Sequence, residues 1–257
     1  MSLLNAVIRA AAPLPDLEKA ERFLFVGPHP DDIEIGAGAT AAKLASVGKE
    51  VCFLICTDGR FGDTFCEEKG DALARRRERE ALASAAKLGV KDVRFLRFSD
   101  GNVYDYAAFR NAIARVIGEF GPNVVFAPDP CVISECHADH LNTGNACREL
   151  AFAATNPGTI AAHGGAPAPI TAIAYYMTAS ATRFVNTTGY LQTQLDAIFS
   201  CHESQFPAGC DDAKSISLYL KLRAYDFGIR NFCRTAEGFR VLGTTQMHCL
   251  PEAGIIR

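Results

Sequence analysis

Two short clusters of histidine and aspartate hold the residues best equipped for chemistry. The first is Pro28-His29-Pro30-Asp31-Asp32 and the second is His137-Ala138-Asp139-His140. Together they offer His29, Asp32 and His140 as nitrogen and oxygen ligands for a divalent metal, with Asp31 left over beside them. Three protein ligands, a fourth position for water and a spare carboxylate are the equipment of a hydrolytic zinc site. Asp31 cannot easily bind the same ion as its neighbour Asp32 while both side chains take ordinary directions. It therefore suits a general base that takes a proton from water and later returns it to a leaving amine. His137 lies at the edge, where a protonated imidazole would stabilise an oxyanion. Asp139 is placed to orient a histidine from behind.

Each residue also has a plainer reading. His-x-x-Asp at a helix start is often a cap plus a surface histidine, and His-x-x-His alone is a weak signal. Asp31 can serve the helix N-terminus electrostatically and nothing more, and His137 can be an ordinary loop histidine. What weighs against these readings is the position of the two clusters relative to the elements that carry them.

The apolar run Phe23-Leu24-Phe25-Val26 leads directly into the first cluster, and Val124-Val125-Phe126-Ala127 precedes the second. Strands are expected over 22–27, 50–57, 93–96, 123–127 and 170–177. Helices are expected over 36–47, 71–88 and 106–120, from 140 to about 154, and over 189–203 and 211–227, several closed by glycine. Residues 156–169 read as a Gly/Pro/Ala loop. This alternation predicts an α/β fold of right-handed βαβ units on a parallel sheet. It is expected as one domain over 1–257, with 1–20 as an N-terminal extension and 156–257 as a more irregular capping part. A strand order of 3-2-1-4 would make the first and fourth strands neighbours. Their following loops would then meet in the crevice beyond the carboxyl ends of the strands, where such sheets bind ligands. A dinucleotide is a poor occupant, because Gly27-Pro28-His29-Pro30-Asp31-Asp32 stands where Gly-x-Gly-x-x-Gly is needed and its carboxylates would repel a pyrophosphate.

Bulk properties narrow the partners. A chain of 257 residues, 49% hydrophobic and 21% charged, can bury a full core. The net charge of -3 gives no electrostatic case for nucleic acid. The one basic run, Arg75-Arg76-Arg77, is interrupted by Glu78 and Glu80. The ten cysteines form no CxxC pair, and Cys52 and Cys56 lie in an apolar strand as small core residues would. With no signal-peptide pattern and no apolar run long enough for a membrane span, a cytoplasmic location, no membrane and reduced thiols are expected.

These residues resemble a known family. Pro28-His29-Pro30-Asp31-Asp32 followed by Ile33-Glu34-Ile35-Gly36, with the distant His-x-Asp-His, is similar to the zinc-dependent N-deacetylases of the PIG-L/LmbE family. Thr57-Asp58-Gly59, Arg77-x-x-Glu80-Ala81, Glu203-Ser204-Gln205-Phe206 and Ala236-Glu237-Gly238-Phe239 resemble its further motifs. Phe126-Ala127-Pro128-Asp129-Pro130 and the N-terminal extension look most like the diacetylchitobiose deacetylase branch. The resemblance implies a Rossmann-like α/β fold, its mostly parallel sheet flanked by helices, and a Zn2+ ion, other divalent transition metals remaining open. It implies hydrolysis of an N-acetyl group on a GlcNAc-type sugar, and a homo-oligomer. It assigns zinc to His29, Asp32 and His140, the base/acid to Asp31, oxyanion help to His137 and substrate contact to Arg77. An ion pair with Glu80 is the structural alternative for Arg77. His248 falls where the related branch has a histidine that approaches a site, that of a neighbouring subunit. One departure is visible: Ala138 replaces the proline of the family's His-Pro-Asp-His. Competing functions are an amidase acting on a mycothiol-like conjugate, a metal- or sugar-binding protein without catalysis, and a redox enzyme, the last kept open only by the cysteines.

Overall fold

The computed structural model of the chain describes residues 7–8, 10–248 and 250. A 3₁₀ turn at Leu17–Lys19 leads into β1 (Arg22–Gly27), α1 (Asp32–Ser46), β2 (Glu50–Thr57), α2 (Gly70–Lys87), β3 (Asp92–Phe98), α3 (Tyr106–Phe120) and β4 (Val124–Pro128). There follow α4 (Ala138–Ala153), α5 (Pro157–Ala161), β5 (Ala172–Tyr176), β6 (Arg183–Asn186), α6 (Leu191–Cys201), α7 (Asp211–Arg230) and β7 (Ala236–Gly243).

The seven strands form one sheet in the order β3-β2-β1-β4-β5-β7-β6. Strands β3 to β5 are parallel, while β7 runs antiparallel to both β5 and β6. The inner strands are continuous apolar runs because helices cover both faces of the sheet. Alternate side chains therefore enter opposite cores. Phe23, Phe25, Phe53 and Phe126 pack on one face, and Leu24, Val26, Leu54 and Val125 on the other. Phe25 and Phe126 stack with ring centroids 4.2 Å apart, fastening β1 to β4. Cys52, Cys56 and Cys147 are free thiols buried in the core.

Strands β6 and β7 lie within the part expected to be irregular, and they extend the sheet instead. Their pattern is masked because β7 buries two charged residues. Arg240 pairs with Asp129, its Nε 2.8 Å from Oδ2, and Glu237 receives the backbone N–H groups of Ala39 and Thr40 at 3.2 and 2.7 Å. These partners are far away in sequence, so no local periodicity shows that the charges are tolerated. The 156–169 stretch holds the short helix α5, opened by Asn156, whose side chain accepts from Gly158 and Thr159 N–H, with Pro157 at the first position.

Helix α1 begins at Asp32, four residues before its expected start. It is broken at Ala37 (φ -153°, ψ 17°), where a Cβ on the preceding Gly36 would collide with the Tyr176 ring. The break exposes the N–H groups of Ala39 and Thr40, and the Glu237 carboxylate caps them as it would a helix N-terminus. Burial pushes the Glu237 carboxyl up to about 7, against these hydrogen bonds.

Candidate active site

Parallel pairing of β1 with β4, in register at Phe25–Phe126, brings the two loops beyond their carboxyl ends together. The first loop is pinned by Thr57, whose N–H and hydroxyl both donate to the Pro28 carbonyl at 2.9 and 2.8 Å. His29 and Asp32 stand at its end. One Asp32 oxygen accepts from the His29 backbone N–H at 2.8 Å and lies 3.0 Å from His29 Nδ1. Its other oxygen lies 3.4 Å from His140 Nε2, in the first turn of α4. One ligand atom each from His29, Asp32 and His140 fall within 4.8 Å of one another. Two imidazoles and a carboxylate converging in this way fit a divalent transition metal.

His29 Nε2, on the far side of its ring, faces two carboxylates: Asp100 at 3.0 Å and Asp139 at 3.3 Å. Asp139 is completely buried and also accepts from Gly101 N–H (2.9 Å), Asn102 N–H (3.0 Å) and the Tyr104 hydroxyl (2.7 Å). Asp100 accepts from Gly101 and Phe61 N–H. A second set of groups, His29, Asp100, His137 and Asp139, is as compact as the first. The Asp139 oxygens, however, are committed to these donors, which suits holding the His29 ring and leaves little for a ligand. Burial works against charging His29, yet Asp100, Asp139 and Asp32 outweigh it and raise its pKa well above the ordinary value. Burial also opposes ionisation of Asp32, and His140 and His29 overcome it, holding the carboxyl well below its usual range.

Asp31 stands beside this cluster on an unusual backbone, φ 149° and ψ -23°, a region that L-residues avoid. Its Oδ2 lies 3.0 Å from Arg77 Nη2. Arg77 is only 3% exposed, and it also donates to the carbonyls of Gly59 and Pro30 at 3.0 and 3.2 Å. The arginine thus sits behind Asp31. Its alternative partner, Glu80, is occupied by Arg76 at 3.0 Å and by the Ser204 N–H and hydroxyl. Burial raises the Asp31 carboxyl to about 6 against the pull of Arg77, with Asp32 adding to the rise.

The His137 ring approaches His29 edge-on at 4.6 Å between centroids and His140 at 5.1 Å. Its Nδ1 accepts the Asp139 N–H at 3.3 Å and so caps α4, which Ala138 opens without a proline. An accepting Nδ1 places the ring proton on Nε2. Burial and the two neighbouring imidazoles lower its pKa. The protonated imidazole expected from the sequence is thus opposed by burial and by its two histidine neighbours.

His248 lies outside this cluster. Its exposed ring packs on Phe152 at 5.1 Å, near the other end of α4. At about 1.5 Å per helical residue, Phe152 is roughly 18 Å along the axis from His140. Reasoning from sequence missed Asp100, whose signal was an Asp-Gly turn directly after β3. It also missed the buried pair Glu34–His202, 3.2 Å apart, which lies close enough to Asp31 for the His202 charge to favour its ionised form.

Residues 24–151 match the family model for PIG-L, described as GlcNAc-PI de-N-acetylase. A diacetylchitobiose deacetylase from Thermococcus kodakarensis is 36% identical over 248 residues, covering 95% of this chain and 90% of that protein. A 1D-myo-inositol 2-acetamido-2-deoxy-alpha-D-glucopyranoside deacetylase from Kineococcus radiotolerans is 32% identical, covering 61% of this chain and 52% of its own length. The solved N,N'-diacetylchitobiose deacetylase from Pyrococcus horikoshii, in complex with an inhibitor, superposes with a TM-score of 0.86 at 30% identity, covering 98% of this chain and 97% of that one. By the extent of these matches and by the motifs gathered at the carboxyl ends of β1 and β4, the chain belongs to the PIG-L family of de-N-acetylases.

Proposed function

We propose that the protein is a zinc-dependent deacetylase that removes the N-acetyl group from a GlcNAc-type amino sugar or chito-oligosaccharide such as diacetylchitobiose, releasing acetate and a free amine. The observation that carries this reading is Asp31. A carboxyl held by Arg77 beside, and not within, the His29/Asp32/His140 set is unnecessary for retaining a metal but needed for moving a proton.

His29, Asp32 and His140 would hold the zinc, which supplies Lewis-acid polarisation of the amide carbonyl and of water. Asp31 takes the proton from the attacking water on the oxygen not engaged by Arg77, and a carboxyl raised to about 6 is well matched to that exchange near neutral pH. The same group then gives the proton to the departing nitrogen. His137 donates from Nε2 to the oxyanion of the tetrahedral intermediate. Asp139 and Asp100 keep His29 oriented. Arg77 positions Asp31, so its link to substrate runs through that carboxylate.

The similarity to the two diacetylchitobiose deacetylases over nearly the whole chain supports the sugar class. The partial similarity to the inositol-linked glucosaminide deacetylase keeps open, as a second reading, an inositol-linked GlcNAc as substrate. A cytoplasmic location and self-association into a homo-oligomer complete the proposal. Among the described residues no helix is long and apolar enough to cross a membrane. Within one protomer His248 is far from the cluster, so any substrate contact by it would be to the site of a neighbouring copy.

The test is acetate release from GlcNAc, diacetylchitobiose and inositol-linked GlcNAc, with and without a chelator. Chelator-sensitive release from diacetylchitobiose, lost in Asp31→Asn with metal content unchanged, is expected. Full turnover by zinc-loaded Asp31→Asn would overturn the role of Asp31.

A further inference from the structure

Helix α7 is apolar on two opposite faces. The inner face, Leu220, Ala224 and Phe227, is buried against the body of the protein. On the opposite side stand Leu218 (59% exposed), Leu222 (61%), Tyr225 and Ile229 (77%), at spacings of four, three and four residues. These spacings keep the four side chains within one narrow stripe along the helix. Tyr219 flanks the stripe, and Phe232, 99% exposed, continues it beyond the C-terminus. A surface helix ordinarily carries polar residues on this face. A helix apolar on both faces belongs between two packed bodies. Elsewhere among the described residues, exposed large apolar side chains such as Val47 form no such stripe along a helix, although Phe61 and Val103 both lie beside Gly101.

We propose that this stripe is a self-association surface, on which α7 of one copy packs antiparallel against α7 of a second copy about a twofold axis. The face is self-complementary in that arrangement. With the axis midway along the stripe, Leu222 of one copy opposes Tyr225 of the other, and Leu218 opposes Ile229. Charge favours the same direction. Asp211 and Asp212 open the helix, whereas Arg230 lies in its last turn and Arg234 follows four residues later, so an antiparallel pair brings each acidic end towards a basic end and opposes the two helix dipoles. The pairs Lys214–Asp211 and Arg230–Asp226 within each helix are exposed, and such pairs contribute little that an interface must break.

The area is also sufficient. The six exposed residues present roughly 600–900 Å² per protomer, more than the few hundred Å² that a monomer normally leaves as one apolar patch. Two copies would bury roughly 1,200–1,800 Å² in total, the range of a standard stable interface. The inference deepens the self-association proposed above by naming its surface, and it is independent of the substrate.

Sedimentation of the full chain over a wide concentration range tests it, alongside Leu222→Glu and Ile229→Glu. Both positions are exposed in the single copy, so both variants should keep native circular dichroism and zinc content. The wild type is expected at twice 27.7 kDa or a multiple of that mass, and each variant at half the wild-type mass. A wild type that stays at 27.7 kDa throughout would overturn the proposal. So would folded variants with undiminished mass, which would mean that the copies meet through another face. Capture of a different protein by the stripe would show as a monomeric wild type and count against it. Acetate release is measured on the same samples, so loss of the interface and failure of the deacetylase reading are read separately.

Discussion

Arg77 Nη2 rests 3.0 Å from Asp31 Oδ2 while the guanidinium is anchored to two backbone carbonyls. The arginine is thus a buried clamp on the residue proposed to move the proton. Arg77→Lys keeps the charge and loses the planar fork that reaches three acceptors at once. It should lower kcat by about 10- to 100-fold with KM and zinc content nearly unchanged, since a misplaced general base costs rate more than binding. Steady-state kinetics and metal analysis of the same preparation check this; a large KM effect with kcat intact would instead indicate direct substrate contact.

The backbone of Asp31 stores strain that glycine would relieve. At φ 149° a Cβ is unfavourable, and such residues cost about 1–3 kcal/mol. Metal-free Asp31→Gly should be more stable than metal-free Asp31→Ala by about 1 kcal/mol, although both are inactive. Urea unfolding of the two variants gives the difference directly, and equal midpoints would show that the site is unstrained.

Asp100 and Asp139 share the Nε2 side of His29, so removing either should weaken metal binding without removing a ligand. A loss of about 10- to 100-fold in zinc affinity is expected for each, measured by chelator competition. Asp139→Ala should also destabilise the fold, because it strips partners from Gly101, Asn102 and Tyr104. Asp100→Ala should be milder. Unchanged affinity in both variants would place the metal elsewhere.

Glu237 gives a pH signature remote from the metal cluster. Its carboxyl is raised by burial to about 7 in the folded protein, against an ordinary 4.5. Between these values the folded protein binds the proton and the unfolded chain does not, so the contribution of this group to stability is greatest at low pH and is lost as pH rises towards 7. The span corresponds to about 3 kcal/mol. Glu237→Gln should abolish that slope. Tm against pH for wild type and variant checks it, and parallel curves would contradict the shift.

What could be read without coordinates was whatever is local or periodic. The apolar runs before His29 and His137 marked β1 and β4, and strand–helix alternation marked the parallel sheet; the order 3-2-1-4, assumed for the two clusters to meet, is the one the sheet has. Side-chain chemistry was enough to separate Asp31 from the ligand set. Tertiary structure decided what depends on partners distant in sequence. Strand β7 was hidden because Glu237 and Arg240 look out of place until Ala39, Thr40 and Asp129 are brought to them. Arg77 was assigned towards substrate because its acceptors, Asp31, Pro30 and Gly59, lie up to 47 residues away in the chain, and only folding turns its guanidinium inward. What acts on the charge of His137 was hidden for a similar reason: the Asp139 N–H that occupies its Nδ1 and the imidazoles that oppose a second proton act only once α4 is capped and packed against His29. Residue types and spacing determine which groups can do chemistry, but a group's protonation and direction come from its neighbours in space, and those exist only in the folded chain.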